Sequence, residues 1–260
     1  MTVHPPTAIV EALRAAGCVF AEDEAALILD AAGSAPDPAA TAARLVELRA
    51  SGLPLEHVVG WADFCGLRIA VDPGVFVPRR RTELLARRAL ALVRSGDTVV
   101  DLCCGSGALG AVLAHAVPGL ELHAVDLDPA AVACAGRNLA GRGTAHLGDL
   151  FAPLPDRLRG RVRVLLANVP YVPTAEITLL PAEARDHEAR IALDGGPDGL
   201  AVLRRVLAGA PAWLSPDGAL LFETSDRQLP AALAAIRTAG LRPEVTRDED
   251  LEATTVIATR

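Results

Sequence analysis

The 260-residue chain contains no lysine; all 25 of its basic residues are arginine. Chemistry built on a lysine, such as a Schiff base or a P-loop, is thereby excluded. No run of 18 uninterrupted apolar residues occurs, so no membrane span is expected. Met1 to Val10 lacks the basic-then-apolar order of a secretory signal, and a cytoplasmic location is expected. The five cysteines (Cys18, Cys65, Cys103, Cys104 and Cys134) include no C-x-x-C pair and suit a reducing compartment. Cys103 and Cys104 have no second pair to complete a metal site, and no metal is expected. The net charge of −7 disfavours nucleic-acid binding through a broad basic surface. One local basic cluster stands out: Arg79, Arg80, Arg81, Arg87 and Arg88. It reads either as a solvated helix face or as a contact for an acidic or phosphate-bearing partner.

Half the residues are hydrophobic, enough to build one α/β domain and a small additional one. Residues 1–59 carry three helical signals. Thr7 to Leu13 has apolar spacing of three and four behind a capping Thr. Glu22 to Ala32 repeats the spacing until Gly33 stops it. Asp37-Pro38 opens a third helix that runs to about Ala50. Residues 60–78 read as a β-hairpin linker. Phe64 to Val71 alternates, Asp72-Pro73-Gly74 turns, and Val75 to Val77 resumes. Residues 79–260 alternate strands and helices. Strands are expected at Thr98–Leu102, Leu120–Val125, Val162–Ala167, Ala219–Glu223 and Thr254–Ala258, with another ending before Gly148. Helices are expected at Ala108–Ala116, Pro129–Leu139, Leu200–Leu214 and Leu229–Ala239. The pattern predicts a Rossmann-like α/β fold around a mostly parallel, doubly wound sheet.

The first strand of this region ends in Asp101-Leu102-Cys103-Cys104-Gly105-Ser106-Gly107-Ala108-Leu109-Gly110. A glycine-rich turn between strand and helix admits a nucleotide-like ligand, and G-x-G-x-x-G alone equally suits a dinucleotide oxidoreductase. Asp101 shifts the balance toward S-adenosylmethionine. An acid there suits a cationic methionine end and would repel a pyrophosphate. Asp126, followed by Leu127, can accept from both hydroxyls of a ribose; it identifies a ribose but not the cofactor. Asp149 and Leu150 suit an adenine, the acid for its exocyclic amine and the leucine for a ring face.

The fourth strand ends in Asn168-Val169-Pro170-Tyr171, and Asn168 is one of only two asparagines. This motif resembles the Asn-Pro-Pro-Tyr of methyltransferases acting on planar nitrogens. The wider chain resembles the protein-(glutamine-N5) methyltransferases of peptide-chain release factors. The resemblance takes in His57-Val58-Val59-Gly60, Phe64-Cys65-Gly66-Leu67, Val75 to Arg79, Thr82 to Leu85, Glu183-Ala184-Arg185, Ala192-Leu193, Gly195 to Leu200 and Leu220 to Glu223. It implies a class I methyltransferase with a seven-stranded sheet, a substrate-docking N-terminal bundle, and S-adenosyl-L-homocysteine as product. It implies that the Asn168 amide oxygen and the Val169 carbonyl bind the acceptor NH2, with Pro170 stiffening the motif and Tyr171 packing on the amide plane. Phe76, Pro78 and Cys103 to Gly107 would join Asp101, Asp126, Leu127, Asp149, Leu150 and Asn168 around the cofactor.

Three departures mark a divergent branch. Val169 stands where Pro is usual. Arg80 and Arg81 stand where Pro and an acid are usual, and Cys103-Cys104 replaces Gly-Thr. The implied acceptor is a protein glutamine, of a release factor or another protein, bound by a monomer. A small molecule with a planar nitrogen is the alternative, and a nicotinamide oxidoreductase is a more distant one. A non-catalytic protein with a relic cofactor site would fail to bind S-adenosylmethionine. Arg185-Asp186-His187-Glu188 reads as an ion-paired loop over the acceptor pocket rather than a metal site.

Overall fold

The computed structural model describes residues 7–260; His4 lies outside them. Four helices open the chain: α1 (Thr7–Ala15), α2 (Ala21–Ala32), α3 (Pro38–Ala50) and α4 (Leu55–Val59). The first three follow the apolar spacing, which buries Leu13, Ala21, Ala25 and Ile28 at the centre of the bundle. Asp37 caps α3 by accepting from the Ala40 amide at 3.0 Å, with Pro38 in the first turn; such a cap contributes about 1 kcal/mol. Thr7 is the first helical residue of α1. At five residues, α4 is too short to give a periodic signal.

The linker corrects one expectation. Strands β1 (Trp61–Phe64) and β2 (Leu67–Ala70) pair antiparallel, with Phe64 opposite Leu67. The hairpin turn is therefore Cys65-Gly66; Asp72-Pro73-Gly74 does turn, the Val75 amide donating to the Asp72 carbonyl at 3.0 Å, but it joins no pair of strands. Cys65 and Gly66 both have positive φ, 50° and 76°, the twist that a two-residue hairpin demands. A two-residue turn preserves the parity of alternation, so Phe64 to Val71 passes for one strand. Val75 to Val77 forms no strand. Val75 and Val77 are instead buried against Ala131 and Cys134.

The remaining elements are α5 (Glu83–Leu90), β3 (Thr98–Leu102), α6 (Ala108–Ala116), β4 (Glu121–Asp126), α7 (Pro129–Asn138), β5 (Thr144–Leu147), β6 (Val162–Ala167), α8 (Ala182–His187), α9 (Arg190–Leu193), α10 (Ala201–Trp213), β7 (Leu214–Glu223), α11 (Leu229–Thr238), β8 (Arg242–Asp248) and β9 (Ala253–Thr259). Seven strands form one sheet in the order β5-β4-β3-β6-β7-β9-β8. The first five lie parallel, and β9 is antiparallel to both neighbours. One apolar layer packs α10 and α11 on one face, including Leu203, Val206 and Ile236. The other packs α5, α6 and the hairpin through Leu85, Leu113, Phe64 and Ile69. Helix α6 is apolar all round because it is enclosed on nearly every side, with Ala108 to Ala114 all buried.

The chain runs from β3 outward to β5, then crosses back to β6 on the other side of β3. This reversal opens a crevice at the carboxyl ends of the two strands. Leu102 and Ala167 are register partners across it. The loops beginning at Cys103 and Asn168 therefore leave the sheet side by side.

Candidate active site

A cavity of about 570 Å³ occupies this crevice. Its walls include Phe76, Pro78, Asp101, Cys103 to Ser106, Asp126, Leu127, Asp149, Leu150 and Asn168 to Tyr171. Every expected site residue is among them except Gly107. That glycine does another job. With φ at +75°, it starts α6 against α7, where a Cβ would lie 3.0 Å from the Ala135 methyl. It permits close helix packing.

On the cofactor side, Asp101 is 1% exposed. Its Oδ2 accepts from the Gly110 amide at 3.1 Å, while Oδ1 is buried without a partner. Burial, opposed by that amide and reinforced by Asp126, pushes its carboxyl up to about 7. Asp126 holds the glycine loop itself: Oδ2 accepts from Gly105 at 2.8 Å and Oδ1 from Asp128 at 3.0 Å. Burial raises its carboxyl above the ordinary range, though these amides pull it back. Asp149 is ion-paired to Arg205 at 2.5 Å, and Leu150 beside it is buried. Cys103 takes the left-handed φ of 54°. A side chain there costs about 1–2 kcal/mol relative to glycine. Burial and the carboxylates of Asp126, Asp101 and Asp149 push its thiol well up, so it stays protonated.

On the other side, the Asn168 Oδ1 is buried and accepts no hydrogen bond. Val169 and Pro170 behind it are buried. The Tyr171 carbonyl accepts from Gln228 Nε2 at 2.8 Å, and the same nitrogen donates to the Asp198 carbonyl at 3.1 Å. The glycine loop 195–199 lies directly on this backbone. A Cβ on Gly199 would sit 2.2 Å from the Tyr171 carbonyl oxygen and 2.1 Å from Gln228 Nε2, at a φ of +74°. Gly199→Ala is therefore expected to cost about 2–4 kcal/mol and to displace the Asn168–Tyr171 segment. Denaturant unfolding and turnover measure the two effects, and a variant with wild-type values in both would contradict this packing.

Several residues that shape the site escaped the sequence reading. The arginine cluster divides: Arg80 and Arg87 are exposed, as a solvated face requires, whereas Arg79 and Arg81 reach buried carboxylates of the chain itself. Arg79 pairs with buried Glu188 at 2.6 Å and Arg81 with buried Glu223 at 2.7 Å, both inside the cavity wall. Arg87 and Arg88 tie α5 to Asp248 and Glu244 of β8. Asn138 bonds the Ala70 amide and carbonyl, each at 2.9 Å, and the Ser106 carbonyl at 2.8 Å, joining hairpin to cofactor loop. Arg49 of α3 donates to buried Glu24 at 2.6 Å and to Glu183 on the cavity wall at 2.7 Å. The segment expected as a loop over the pocket is in fact α8, tied down by Glu183 and Glu188 near its two ends. All these partners lie 25 to 161 positions apart, beyond any local pattern.

Asp101 gives the site a pH signature. Its folded pKa of about 7 lies above the value near 3.9 of an unfolded chain. Between those values the folded protein keeps a proton that the unfolded chain releases. This contribution to stability is thus full below about pH 4, falls as pH rises, and is gone above about 7. A cationic ligand needs the ionised form. S-adenosylmethionine affinity is expected to weaken by up to about tenfold per unit as pH drops from about 7 to 5. Asp101→Asn should flatten that profile in calorimetric titrations, and an unchanged slope would contradict the assignment.

A wound sheet with an antiparallel final strand, and an acid-lined cavity at its switch point, define a class I S-adenosylmethionine-dependent methyltransferase. The methyltransferase small domain family matches residues 66–189. The fold is shared with the ribosomal protein L11 methylase of Lactobacillus delbrueckii subsp. bulgaricus, at TM-score 0.54 and 19% identity over 74% of this chain and 84% of that one. Release factor glutamine methyltransferases are similar in sequence. That of Mycolicibacterium smegmatis is 42% identical, covering 83% of this chain and 78% of its own. That of Geobacter sulfurreducens is 36% identical, covering 79% and 72%. The chain belongs to this family of N-methyltransferases. A 4-amino-L-phenylalanine/4-methylamino-L-phenylalanine methyltransferase of Streptomyces pristinaespiralis is also 38% identical, over 75% of this chain and 70% of that one. Among the described residues, no helix is long and apolar enough to cross a membrane.

Proposed function

We propose that the chain, acting as a monomer, methylates the side-chain amide nitrogen of a protein glutamine, a release factor being the acceptor its family name points to. The observation that carries this reading is the buried, unpartnered Oδ1 of Asn168 on the cavity wall. An acceptor left unpaired in the interior costs about 1–3 kcal/mol, and a ligand N–H would recover it. An amide nitrogen is a poor nucleophile because its lone pair is delocalised. Accepting its N–H bonds at Asn168 Oδ1 and the Val169 carbonyl orients that nitrogen and returns electron density to it. Val169 serves as well as proline here, since only its carbonyl is used and Pro170 keeps it extended.

The cofactor residues fit the same reading. Asp101 Oδ1 is a second buried acceptor without a partner, suited to an ammonium group. Asp126 would take the ribose, Asp149 and Leu150 the adenine, and Phe76 and Pro78 the opposite wall. Bound there, S-adenosylmethionine supplies an electrophilic methyl carbon and departs as S-adenosyl-L-homocysteine. Residues 1–59 would dock the protein acceptor, and Arg49 links them to the cavity wall at Glu183.

A small-molecule amine is the second reading, favoured by the Streptomyces pristinaespiralis relative. Peptide mapping separates the two. After incubation with cofactor, a release factor should carry one methyl group on the amide nitrogen of its Gly-Gly-Gln loop. An unmodified factor, with 4-amino-L-phenylalanine methylated instead, would favour the second reading.

A further inference from the structure

Tyr171 is the only tyrosine of the chain, and it is held at both ends. Its carbonyl is fixed by Gln228 at 2.8 Å. Its phenol oxygen accepts from Arg81 Nη2, and its hydroxyl donates to Glu223 Oε1 at 3.2 Å. Arg81 Nε donates to that same oxygen at 2.7 Å, and Thr82 Oγ1 donates to the other at 2.8 Å. Glu223 is 5% exposed, so a carboxylate there needs these donors. The three side chains of Arg81, Tyr171 and Glu223 close a ring of hydrogen bonds beside the cavity.

The ring matters because Tyr171 borders open volume. A half-buried phenol with two free torsions, facing a cavity, is not fixed by packing alone. The hydrogen bonds at its hydroxyl tie the free end of the ring. The planar guanidinium fork binds a carboxylate through one nitrogen and the phenol through another at the same time.

We propose that Arg81 is a positioning residue for the acceptor site: anchored on Glu223, it fixes the Tyr171 ring at the angle the acceptor meets. The proposal rests on Asn168 to Tyr171 forming that site. The competing role is simple countercharge for Glu223. A lysine distinguishes them, because a compact ammonium can neutralise Glu223 yet cannot span both partners.

The test uses the full chain labelled with 13Cζ-tyrosine, which gives a single resonance. In Arg81→Lys the resonance should shift and broaden. The affinity for S-adenosylmethionine should stay within about twofold, while the KM for a release factor carrying a Gly-Gly-Gln loop rises about 10- to 100-fold. Tyr171→Phe should raise that KM similarly, and adding Arg81→Lys to it should change little, since the two act as one unit. A wild-type resonance and KM in Arg81→Lys would reduce Arg81 to a countercharge. If Arg81→Lys does not fold, a wild-type KM in Tyr171→Phe overturns the proposal equally. If the wild-type enzyme does not methylate the release factor, the acceptor reading fails on its own. The resonance then still decides: an unchanged signal in Arg81→Lys overturns the role of Arg81.

Discussion

Asn168→Ala is expected to lower kcat by about 100- to 1000-fold while leaving the affinity for S-adenosylmethionine within about tenfold, or 1.4 kcal/mol. The side chain stands at the end of β6 with its oxygen buried and unpartnered, so no fold-stabilising bond is lost with it. On the proposed reading, what disappears is an acceptor for the substrate nitrogen at the moment its lone pair is needed. Effects of that kind fall on kcat rather than on cofactor binding. Asn168→Asp is the informative companion: it keeps the oxygen but adds a charge to a cavity already lined by Asp101 and Asp126. A large loss of cofactor affinity in Asn168→Ala, with kcat preserved, would mean that Asn168 serves the cofactor instead. Isothermal titration and initial-rate kinetics on the same preparations separate the cases.

Asp126→Ala should do the reverse. Its two oxygens already accept from the Gly105 and Asp128 amides, so removing them loosens the glycine loop as well as the ribose contacts. Hydrogen bonds to a charged group contribute about 1.5–3 kcal/mol each. Losing two toward the ribose alone raises the Kd for S-adenosylmethionine by about 100-fold or more. An unchanged Kd would remove Asp126 from the site.

The contrast between these two positions follows from the sheet. Asp126 closes β4 and Asn168 follows β6, with β3 between them. Their places were legible because both follow apolar strands, and polar residues at the carboxyl ends of such strands mark the crevice of a wound sheet. The buried strands were equally legible, since Thr98–Leu102 and Val162–Ala167 are dominated by Val, Leu and Ala, with Asp101 and Arg163 as the only charged residues in them. Strand β8 was not. As an edge strand it reads Arg-Pro-Glu-Val-Thr-Arg-Asp, a charged sequence that blunts an exposed edge and leaves little hydrophobic pattern. The hairpin turn hid because Cys65 is an uncommon residue at positive φ. The ion pairs of Arg79 and Arg81 were hidden for a different reason. Their carboxylate partners, Glu188 and Glu223, come from segments more than 100 positions away, and only the closed fold brings them together. Gly107 carries a role that its motif does not announce: its missing side chain makes room for Ala135.

The departures from the family pattern have unequal weight. Cys103 occupies a left-handed position that glycine fills at no steric cost, so it strains the loop without blocking it. Val169 leaves the backbone carbonyl in place. Arg81 is the departure that brings a cation onto the only tyrosine, in the cavity wall.

Labelled-methyl transfer tests the assignment most directly: S-adenosylmethionine carrying a labelled methyl group, a purified release factor with its Gly-Gly-Gln loop, and wild-type enzyme beside Asn168→Ala. Label on that glutamine with the wild-type enzyme, lost with Asn168→Ala, is the predicted result. Intact cofactor binding with no label on the factor would contradict glutamine as the acceptor.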